Sequence, residues 1–351
     1  MIDGASLLIT GGTGSFGKAC IRIVLKRYKP RRLIVYSRDE LKQWQVRQEF
    51  PESEYPCLRF FLGDVRDKDR LYRAFNEVDY VIHAAAMKQV QASEYNPFEA
   101  IRTNVFGAQN LIEAAIDKGV KKVVCLSTDK AVAPINLYGA TKLSADKLFQ
   151  AAQAYVGAAM ATSFAVVRYG NVLGSRGSVV PLFLDQRDKK GRVTITDPAM
   201  TRFWITLPDA VDFVLQTFHR MQGGEIFVPK IPSMSIFDLA TALCPGCAHE
   251  NIGRRPGDKM HETMISTHDS FNSIRFNDHF VLVPSTGNRD RYIERHGGTA
   301  VEDGFEYSSH LNDWWMTATD LFDMLGADSQ GNFWRRTQFE KQAGAADGPR
   351  D

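Results

Sequence analysis

A glycine-rich turn directly after the first apolar run constrains the fold of this chain more than any other feature. The run Ser6–Thr10 predicts a strand, and Gly11, Gly14 and Gly17 then lead into the helical pattern Phe16–Arg27. Glycines at this spacing let the chain turn tightly, let its backbone approach a pyrophosphate and let the helix pack closely on the strand. The free N–H groups at the helix start attract phosphate. The segment therefore predicts a dinucleotide-binding unit.

Short apolar runs alternate with helical patterns through the first half of the chain. This alternation is typical of a parallel sheet covered on both faces, and right-handed crossovers give it a doubly wound order. We therefore predict an α/β fold with a doubly wound, parallel, Rossmann-like sheet. The predicted strands are Ser6–Thr10, Arg32–Tyr36, Leu58–Leu62, Tyr80–His83, Lys122–Ser127 and Ser163–Arg168, and the helices are Phe16–Arg27, Asp67–Asn76, Asn104–Lys118 and Leu137–Tyr155.

The regular pattern loosens after Arg168, which indicates a second, smaller unit. A helix over Leu207–Met221 and a strand over Gly224–Val228 resume the alternation. We expect residues 1–172 to form the dinucleotide-binding domain, with 207–230 returning to it. Residues 173–206 and 231–325 would form a discontinuous C-terminal substrate lobe. Residues 328–351 are polar with little periodicity, which predicts a flexible tail.

Charge and apolar content argue against several kinds of partner. Lys and Arg total 43 against 41 Asp and Glu, a net charge of +2, which gives no reason to expect nucleic acid or an anionic membrane surface. No apolar stretch approaches the roughly 20 residues of a membrane span, and the N-terminus lacks the regions of a signal peptide. We therefore expect a soluble cytoplasmic protein that binds neither nucleic acid nor membrane.

Five cysteines are scattered thinly, an odd number that suits a reducing compartment better than a disulfide framework. Cys244 and Cys247 form a C-x-x-C, with His249 and His261 downstream. The chain has no second such pair, and the spacing matches no zinc-finger pattern. We expect neither a metal site nor a disulfide there.

The end of the second predicted strand bears on which dinucleotide is bound. NAD-binding proteins place Asp or Glu there to hold the ribose hydroxyls, whereas this chain has Ser37 and Arg38, with Lys42 one turn into the next helix. A hydroxyl and two cations suit a 2′-phosphate, which favours NADP as the cofactor. The alternative, in which Asp39 holds the ribose and Arg38 is a solvated charge, stays open.

Other positions complete the predicted cofactor site. Asp64 and Val65 end the third strand, where they would clamp the adenine. Small residues follow the fourth strand, where the backbone must pass close to the cofactor. These are Ala84, Ala85 and Ala86, and the remaining predicted contacts are Thr13, Ser15, Phe16, Lys88, Asn104, Ser127, Tyr138, Lys142 and Val172.

Two residue pairs carry the chemistry that this fold would perform. Tyr138 and Lys142 lie four apart at a predicted helix start, which puts both on one face. An ammonium beside a phenol favours the phenolate, a base that can deprotonate an alcohol while hydride leaves its carbon. Asp129 and Lys130 follow the fifth strand, at the edge where such sheets carry their sites. The residues alone leave open which of these two is the acid and which the base.

These segments resemble the extended short-chain dehydrogenase/reductase superfamily. Within it they resemble the nucleotide-sugar 4,6-dehydratases, most closely those that invert C5 of UDP-N-acetylglucosamine. The resemblance runs from residue 1 to about 325. The segments that carry it are Thr10–Gly17, Asn104, Ser127–Ala131, Tyr138–Lys142, Arg168–Val172, Gly174–Pro181, Met200–Thr206, Phe227–Met234 and Arg255–Glu262.

The resemblance implies a reaction in three stages and a role for each catalytic residue. Tyr138 deprotonates the C4 hydroxyl as hydride passes to NADP⁺. Lys130 then takes the C5 proton while Asp129 protonates the departing C6 oxygen, and hydride returns to C6 as C5 is reprotonated on the opposite face. Thr128 hydrogen-bonds the 4-hydroxyl. A lysine base needs a depressed pKa, which we expect burial and Lys142 to supply.

The resemblance also implies a UDP-sugar as the partner, a product that leads to pseudaminic acid, and a homo-oligomer formed through helices of the Rossmann half. Arg202, Arg255 and Lys259 would bind the pyrophosphate. The other predicted substrate contacts are Lys88, Lys130, Tyr138, Asn171, Arg176, Val180 and Glu262.

Three alternative functions stay open. A nucleotide-sugar 4-epimerase uses Tyr138 and Lys142 but expels no water, so it has no need of Asp129 and Lys130. A retaining 4,6-dehydratase differs only in the face at which C5 is reprotonated. A non-catalytic NADP-sensing regulator could lose the Tyr–Lys pair, which this chain keeps.

Overall fold

The computed structural model describes residues 1–156, 162–175, 177–284 and 287–326. Arg176 and the predicted tail therefore lie outside the described residues. The strands are β1 (Ser6–Thr10), β2 (Arg32–Ser37), β3 (Leu58–Leu62), β4 (Tyr80–His83), β5 (Lys122–Thr128), β6 (Ser163–Tyr169), β7 (Asn171–Val172), β8 (Arg192–Ile195), β9 (Thr201–Ile205), β10 (Glu225–Pro229), β11 (Ser233–Ser235), β12 (Ala248–Asn251), β13 (Thr263–Ile265), β14 (Ser273–Arg275), β15 (His279–Leu282), β16 (Thr299–Ala300) and β17 (Tyr307–Ser308).

The helices that connect and cover these strands are α1 (Ser15–Arg27), α2 (Glu40–Glu49), α3 (Lys68–Ala74), α4 (Val90–Tyr95), α5 (Pro97–Ile101), α6 (Gly107–Asp117), α7 (Leu137–Tyr155), α8 (Val179–Lys190), α9 (Leu207–Arg220), α10 (Ile236–Leu243), α11 (Arg289–His296) and α12 (Ala318–Leu325). A π-helical turn, Arg102–Phe106, precedes α6, and a 3₁₀ turn, Asp129–Ala131, follows β5.

Ten strands form the central sheet, in the order β16-β14-β15-β10-β6-β5-β4-β1-β2-β3. The seven strands from β10 to β3 run parallel, whereas β15, β14 and β16 each pair antiparallel with their neighbours. All five side chains of β1 are buried, as expected for a strand covered on both faces. The prediction of a doubly wound parallel sheet is confirmed.

The chain turns in opposite directions on the two sides of β1. From β1 it passes outward to β2 and β3, and it then returns to β4, which pairs with the other edge of β1. In such sheets this reversal opens a crevice at the carboxyl ends of the strands, where ligands bind. The carboxyl ends of β1, β2, β4 and β5 are therefore where a site is expected.

A second hydrophobic cluster lies apart from the core of the large sheet. It contains Leu173, Val180, Phe183, Trp204 and Leu239, with neighbours from α8, β9, α10 and α12. Segments 173–206 and 231–243 thus share one core. By contrast, β14, β15 and β16, which we assigned to the same lobe, extend the central sheet. The division into domains stays a proposal, with these three strands counted with the large sheet.

Arg168 at the end of β6 connects three elements. Its Nη2 lies 3.2 Å from Asp146 Oδ2 on α7, and its Nη1 donates to the carbonyl of Met264 on β13 at 2.8 Å. All three residues are buried. A buried ion pair with an added hydrogen bond fixes geometry strongly, because removing either partner leaves an unpaired charge.

Cys244 and Cys247 depart from the sequence-based expectation, because the structure joins them by a disulfide with Cα atoms 5.5 Å apart. Cys244 caps α10 and is buried in the second hydrophobic cluster, and the turn after it returns the chain so that the two sulfurs meet. Among the described residues, no three or more His, Cys, Asp or Glu side chains are placed to hold a metal. In the same part of the chain, none of the helices combines the length and apolar character that crossing a bilayer requires.

Candidate active site

The glycine turn after β1 packs against the segment that follows β4. Gly11 has φ +66°, and a Cβ placed on it would lie 2.9 Å from the backbone of Ala85. A Cβ on Gly17 would lie 2.4 Å from Gly12, so α1 approaches the turn as closely as backbone allows. Thr10 Oγ1 ties the same two segments, accepting from Ala85 N at 3.2 Å. Close backbone approach is the reason for the small residues at both places.

The start of α1 has no side-chain cap, a feature that suits a bound anion. Gly14 is its N-cap residue and is exposed. Ser127 at the end of β5 is buried, and its Oγ has no hydrogen-bond partner among the described residues. The helix start after β1 and the unpaired hydroxyl at the end of β5 lie on the same edge of the sheet, with β4 between the two strands, and together they fit a bound dinucleotide.

The end of β2 brings together the residues predicted to select the dinucleotide. Ser37 is buried, and its Oγ accepts from Gln43 Nε2 at 3.1 Å. Arg38 is exposed, with Nη1 3.5 Å from Asp64 Oδ2. Asp39 caps α2 and lies 2.8 Å from Lys42 Nζ. The Asp39 carboxylate therefore already binds the start of α2 and Lys42, which argues against a role in binding the ribose hydroxyls.

Asn104 lies in the π-helical turn and connects three segments of the site. Its Oδ1 accepts from Met87 N at 2.8 Å, and its Nδ2 donates to Met87 O and to Thr141 Oγ1 at 3.0 Å. π-Helical turns are frequent at functional sites. The amide is fully used by these protein contacts, so Asn104 holds the Ala84–Ala86 segment against α7.

Tyr138 and Lys142 lie on one buried face of α7, as their spacing predicts. Lys142 Nζ donates to the carbonyl of Leu126 at 2.7 Å. Burial raises the pKa of the Tyr138 phenol, and the nearby charges of Lys142 and Lys130 lower it by less. The lysine acts in the predicted direction, but the net shift is upward because the phenol is desolvated. Lys142 keeps its proton, since Cys125, Tyr138 and Asp146 outweigh the effect of burial and raise its pKa.

Asp129 and Lys130 form a 3₁₀ turn directly after β5, beside Tyr138. Lys130 Nζ lies 3.0 Å from Asp129 Oδ1, and it donates to Asn171 Oδ1 at 3.3 Å. Thr128 donates its hydroxyl to the same Asp129 oxygen at 2.7 Å. The other oxygen of Asp129, Oδ2, is buried and has no hydrogen-bond partner in the described part of the chain.

The pKa of Lys130 corrects the expectation made from sequence. Burial lowers this pKa, but the carboxylates of Asp129 and Glu262 raise it by more, so the net shift is upward. Lys142, which we expected to depress it, is not among the causes. Glu262 Oε1 lies 3.4 Å from Lys130 Nζ, a contact that nothing in the linear pattern indicated. Lys130 is therefore an ammonium ion in this structure.

The predicted phosphate-binding cations take different positions. Arg202 is buried and donates to the backbone carbonyls of Thr201, Met260 and Lys259 at 2.7 to 3.1 Å. Lys259 donates to Val132 O at 2.5 Å, and burial lowers its pKa. Arg255 is exposed and lies 2.9 Å from Asp258. The structure thus uses Arg202 to fix the segment that carries the other two cations.

The remaining predicted residues occupy the same edge of the sheet or the second cluster. Thr13, Ser15 and Phe16 lie in the glycine turn and the first turn of α1, Asp64 and Val65 follow β3, and Lys88 precedes α4. Val172 packs on the central core, and Val180 is buried in the second cluster. Arg176 lies outside the described residues.

Two residues of the site escaped the sequence analysis. Asn136 caps α7 and donates Nδ2 to Gly257 O at 2.9 Å, so it joins the catalytic helix to the Arg255–Lys259 segment. Its position before a helical pattern is an N-cap signal that could have revealed it. Ser309 Oγ accepts from Glu262 N at 2.9 Å across 47 residues, and no local pattern predicts such a contact.

Comparisons with known proteins place the chain among sugar-modifying enzymes. Residues 7–284 match the model of a family described as polysaccharide biosynthesis protein. A relative from Campylobacter jejuni subsp. jejuni serotype O:2, named UDP-N-acetylglucosamine 4,6-dehydratase (inverting), is 52% identical over 332 residues, 93% of this chain and 98% of the relative. A relative from Rickettsia canadensis, named UDP-glucose 4-epimerase, is 42% identical over 320 residues, 87% of this chain and 91% of the relative.

Solved structures show the same fold. The X-ray structure of Pen from Bacillus thuringiensis has a TM-score of 0.83 and 37% identity, covering 92% of this chain and 98% of that one. DesIV from Streptomyces venezuelae, a dTDP-glucose 4,6-dehydratase solved with NAD and TYD bound, has a TM-score of 0.64 and 22% identity, covering 85% and 92%. The second likeness supports the fold alone.

Proposed function

Since the chain belongs to the polysaccharide biosynthesis protein family, we propose that it is a UDP-N-acetylglucosamine 4,6-dehydratase that inverts C5. The product is UDP-2-acetamido-2,6-dideoxy-β-L-arabino-hexos-4-ulose, released with water, and we assign it to the start of pseudaminic acid synthesis. The observation that carries the proposal is the Asp129–Lys130 pair, which lies beside the Tyr138–Lys142 pair at the end of β5.

Tyr138 acts on the C4 hydroxyl of the sugar. Its phenol is buried beside two ammonium groups, which favour the phenolate against the effect of burial. The phenolate takes the hydroxyl proton, and bound NADP⁺ would supply the hydride acceptor for C4 and, once reduced, the hydride donor for C6. Lys142 stays charged and holds the developing negative charge of the phenolate. We assign Thr128, whose hydroxyl lies beside the Tyr138 phenol, to the same sugar hydroxyl.

Asp129 and Lys130 carry out the elimination. Transfer of one proton from Lys130 Nζ to Asp129 Oδ1, across their 3.0 Å contact, makes the amine and the carboxylic acid that the step requires. The amine then takes the C5 proton, the C5–H electrons form the C5–C6 double bond, and the C6–O bond breaks. The departing hydroxyl takes the proton from Asp129 and leaves as water, so both residues return to their starting charges. C5 then gains one proton from solvent, and Tyr138 releases to solvent the one it took, so the net change is loss of water.

The cofactor site fits a nicotinamide dinucleotide. The start of α1, which has no side-chain cap, offers its N-terminus to the pyrophosphate, and the close approach of Gly11 to Ala85 fixes the turn that carries it. We assign NADP because Ser37, Arg38 and Lys42 stand where a ribose-binding carboxylate would lie, and Asp39 is engaged with α2. Loss of Arg38, in an Arg38→Ala variant, is expected to weaken NADP⁺ binding roughly tenfold or more and NAD⁺ binding little.

Arg255, Lys259, Lys88 and Asn171 are the residues we assign to the UDP-sugar. We also assign the protein to the cytoplasm, and we assign it a homo-oligomeric state through helices that cover the central sheet.

Incubation with UDP-N-acetylglucosamine in D₂O tests the function directly. We expect proton NMR to show a C6 methyl group, deuterium at C5 and L-arabino stereochemistry. A product changed only at C4, without deuterium at C5, would assign the chain to the epimerases. A D-xylo product would make it a retaining dehydratase. No turnover of UDP- or GDP-sugars, despite tight NADP⁺ binding, would favour a regulator.

A further inference from the structure

Glu262 contacts the catalytic lysine from a distant part of the chain. Its Oε1 lies 3.4 Å from Lys130 Nζ and 3.7 Å from Arg202 Nε. Only 2% of Glu262 is exposed, and its second oxygen, Oε2, has no hydrogen-bond partner within the described residues. Burying a carboxylate is costly unless its charge is paired. Its position at Lys130 is therefore a feature of the site that requires a role.

The backbone holds Glu262 rigidly. Its N–H donates to Ser309 Oγ at 2.9 Å, and Ser309 in turn donates to Thr201 O. The next residues form β13, where the Met264 carbonyl accepts from the buried Arg168. A carboxylate anchored this way cannot follow a moving lysine, so it fixes where the ammonium lies.

The ammonium of Lys130 is thereby held on three sides. Asp129 Oδ1, Asn171 Oδ1 and Glu262 Oε1 lie within 3.4 Å of Nζ. The Asp129–Lys130 contact alone already brings the acid and the base together, so Glu262 is not needed for that purpose. As a second buried anion it stabilises the charged lysine and opposes loss of its proton.

We propose that Glu262 is the positioning residue of Lys130: its carboxylate fixes the side chain at the site together with Asp129 and governs when that side chain becomes a proton acceptor. This inference rests on the proposed function, and it assigns Glu262 to the lysine instead of to the substrate. Burial raises the pKa of Glu262, and the charges of Lys130 and Arg202 oppose that shift, so the carboxylate and the ammonium stabilise each other.

The test is the pH dependence of kcat in a Glu262→Gln variant. Removing the anion is expected to move the basic limb, which reports loss to solvent of the proton that Lys130 and Asp129 share, downward by about one pH unit or more. KM should change less than about threefold, because the residue faces the lysine. Glu262→Asp shortens the side chain and moves the carboxylate away from Lys130, so it should give a smaller shift in the same direction. This variant is the test of the inference if Glu262→Gln does not fold. Glu306→Gln, which alters a neighbouring carboxylate bonded to Thr263, is the matched control.

A measurement without substrate separates this inference from the proposed function. Acetic anhydride labels amines and not ammonium ions, so mass spectrometry can follow labelling of Lys130 against pH. We expect the Glu262→Gln variant to be labelled at lower pH than the unmodified protein and the Glu306→Gln variant. A tenfold rise in KM with an unmoved basic limb, or equal labelling of all three proteins, would overturn the inference. Failure of the unmodified protein to turn over the sugar, with the labelling shift present, would overturn only the function.

Discussion

Loss of the Tyr138 phenol should stop catalysis without disturbing the fold. In a Tyr138→Phe variant the ring keeps its packing on α7, but no base remains for the C4 hydroxyl. We expect kcat to fall roughly 100-fold or more, as for loss of a general base, with NADP⁺ affinity nearly unchanged. NMR detection of product and calorimetric titration measure the two quantities. Tyr155→Phe at the end of the same helix, where the side chain is 69% exposed, is the control.

His83 makes stability depend on pH through its burial. Thr10 Oγ1 lies 2.8 Å from its Nδ1, and burial lowers its pKa from 6.5 to about 3. The unfolded chain therefore binds a proton below about pH 6.5 that the folded chain rejects until about pH 3. Stability contributed by this residue is present above pH 6.5 and is lost as the pH falls through that window.

Urea unfolding at pH 6.5 and pH 5.0 checks this expectation. We predict that protonation of His83 in the unfolded chain lowers the free energy of unfolding by about 1.5 kcal/mol between pH 6.5 and pH 5.0. The limiting slope is about 1.4 kcal/mol per pH unit. A His83→Gln variant should lack this part of the pH dependence, whereas a variant of the exposed His268 should keep it. Equal pH dependence in both variants would contradict the prediction.

Sequence spacing predicted which candidate side chains lie close together, but it did not predict the electrostatic interactions between them. Tyr138, Lys142, Asp129 and Lys130 meet as their spacing indicated, because helical periodicity and strand order fix them. The predicted direction of the Lys130 pKa shift was wrong, because the second carboxylate that contacts Lys130 belongs to Glu262, 132 positions away in sequence. A partner of this kind follows from tertiary packing alone.

At the scale of elements, the close contact of β1, its glycine turn and the segment after β4 controls the cofactor site. Gly11 and Gly119 both have φ near +65°, so an alanine costs each about 1 to 2 kcal/mol in backbone strain. Only at Gly11 would the new Cβ strike backbone, that of Ala85; nothing lies within 4 Å of a Cβ on Gly119. We expect Gly11→Ala to lose NADP⁺ binding and Gly119→Ala to lose stability only.

Fluorescence titration with NADPH and thermal unfolding of both variants separate the two effects. Comparable weakening of cofactor binding in Gly119→Ala would mean that backbone strain, and not the collision with Ala85, is responsible. Unchanged binding in Gly11→Ala would show that the turn can move away from the segment after β4.

Element boundaries followed from sequence where apolar runs were continuous. The predicted β1, β3, β4 and α7 match the structure at both ends. The helix predicted from Asn104 instead begins as a π-helical turn, since Asn104 turns its amide toward Met87 and Thr141. The Cys244–Cys247 disulfide was not expected, because its formation depends on how the turn after α10 returns the chain. Short strands such as β7 and β16 carry too few residues for a period to be read.

On the scale of the whole molecule, two hydrophobic clusters meet the site from different sides. The central core supports the glycine turn and β5. The second cluster includes Met200, which directly precedes β9, and Met234 of β11. The Arg255–Glu262 segment reaches across to the catalytic turn, where Lys259 contacts Val132 O and Glu262 contacts Lys130. A substrate bound between the Arg255–Glu262 segment and the catalytic turn would therefore stabilise the contact between these two segments. The cofactor would instead stabilise the strand ends and turns that the central core supports.

Hydrogen–deuterium exchange with each ligand separately tests this difference. NADP⁺ alone should slow exchange in residues 11–17 and around the end of β2, because it binds donors there and stabilises the folded state by about 2.7 kcal/mol at a hundredfold excess over Kd. UDP added to that complex should slow exchange mainly in residues 254–262, because its phosphates require the cations of that segment. If NADP⁺ alone slows exchange equally in both regions, the two clusters respond as one unit. If UDP slows exchange only in residues 11–17, the UDP phosphates bind at the glycine turn and not at residues 254–262, and the prediction is wrong.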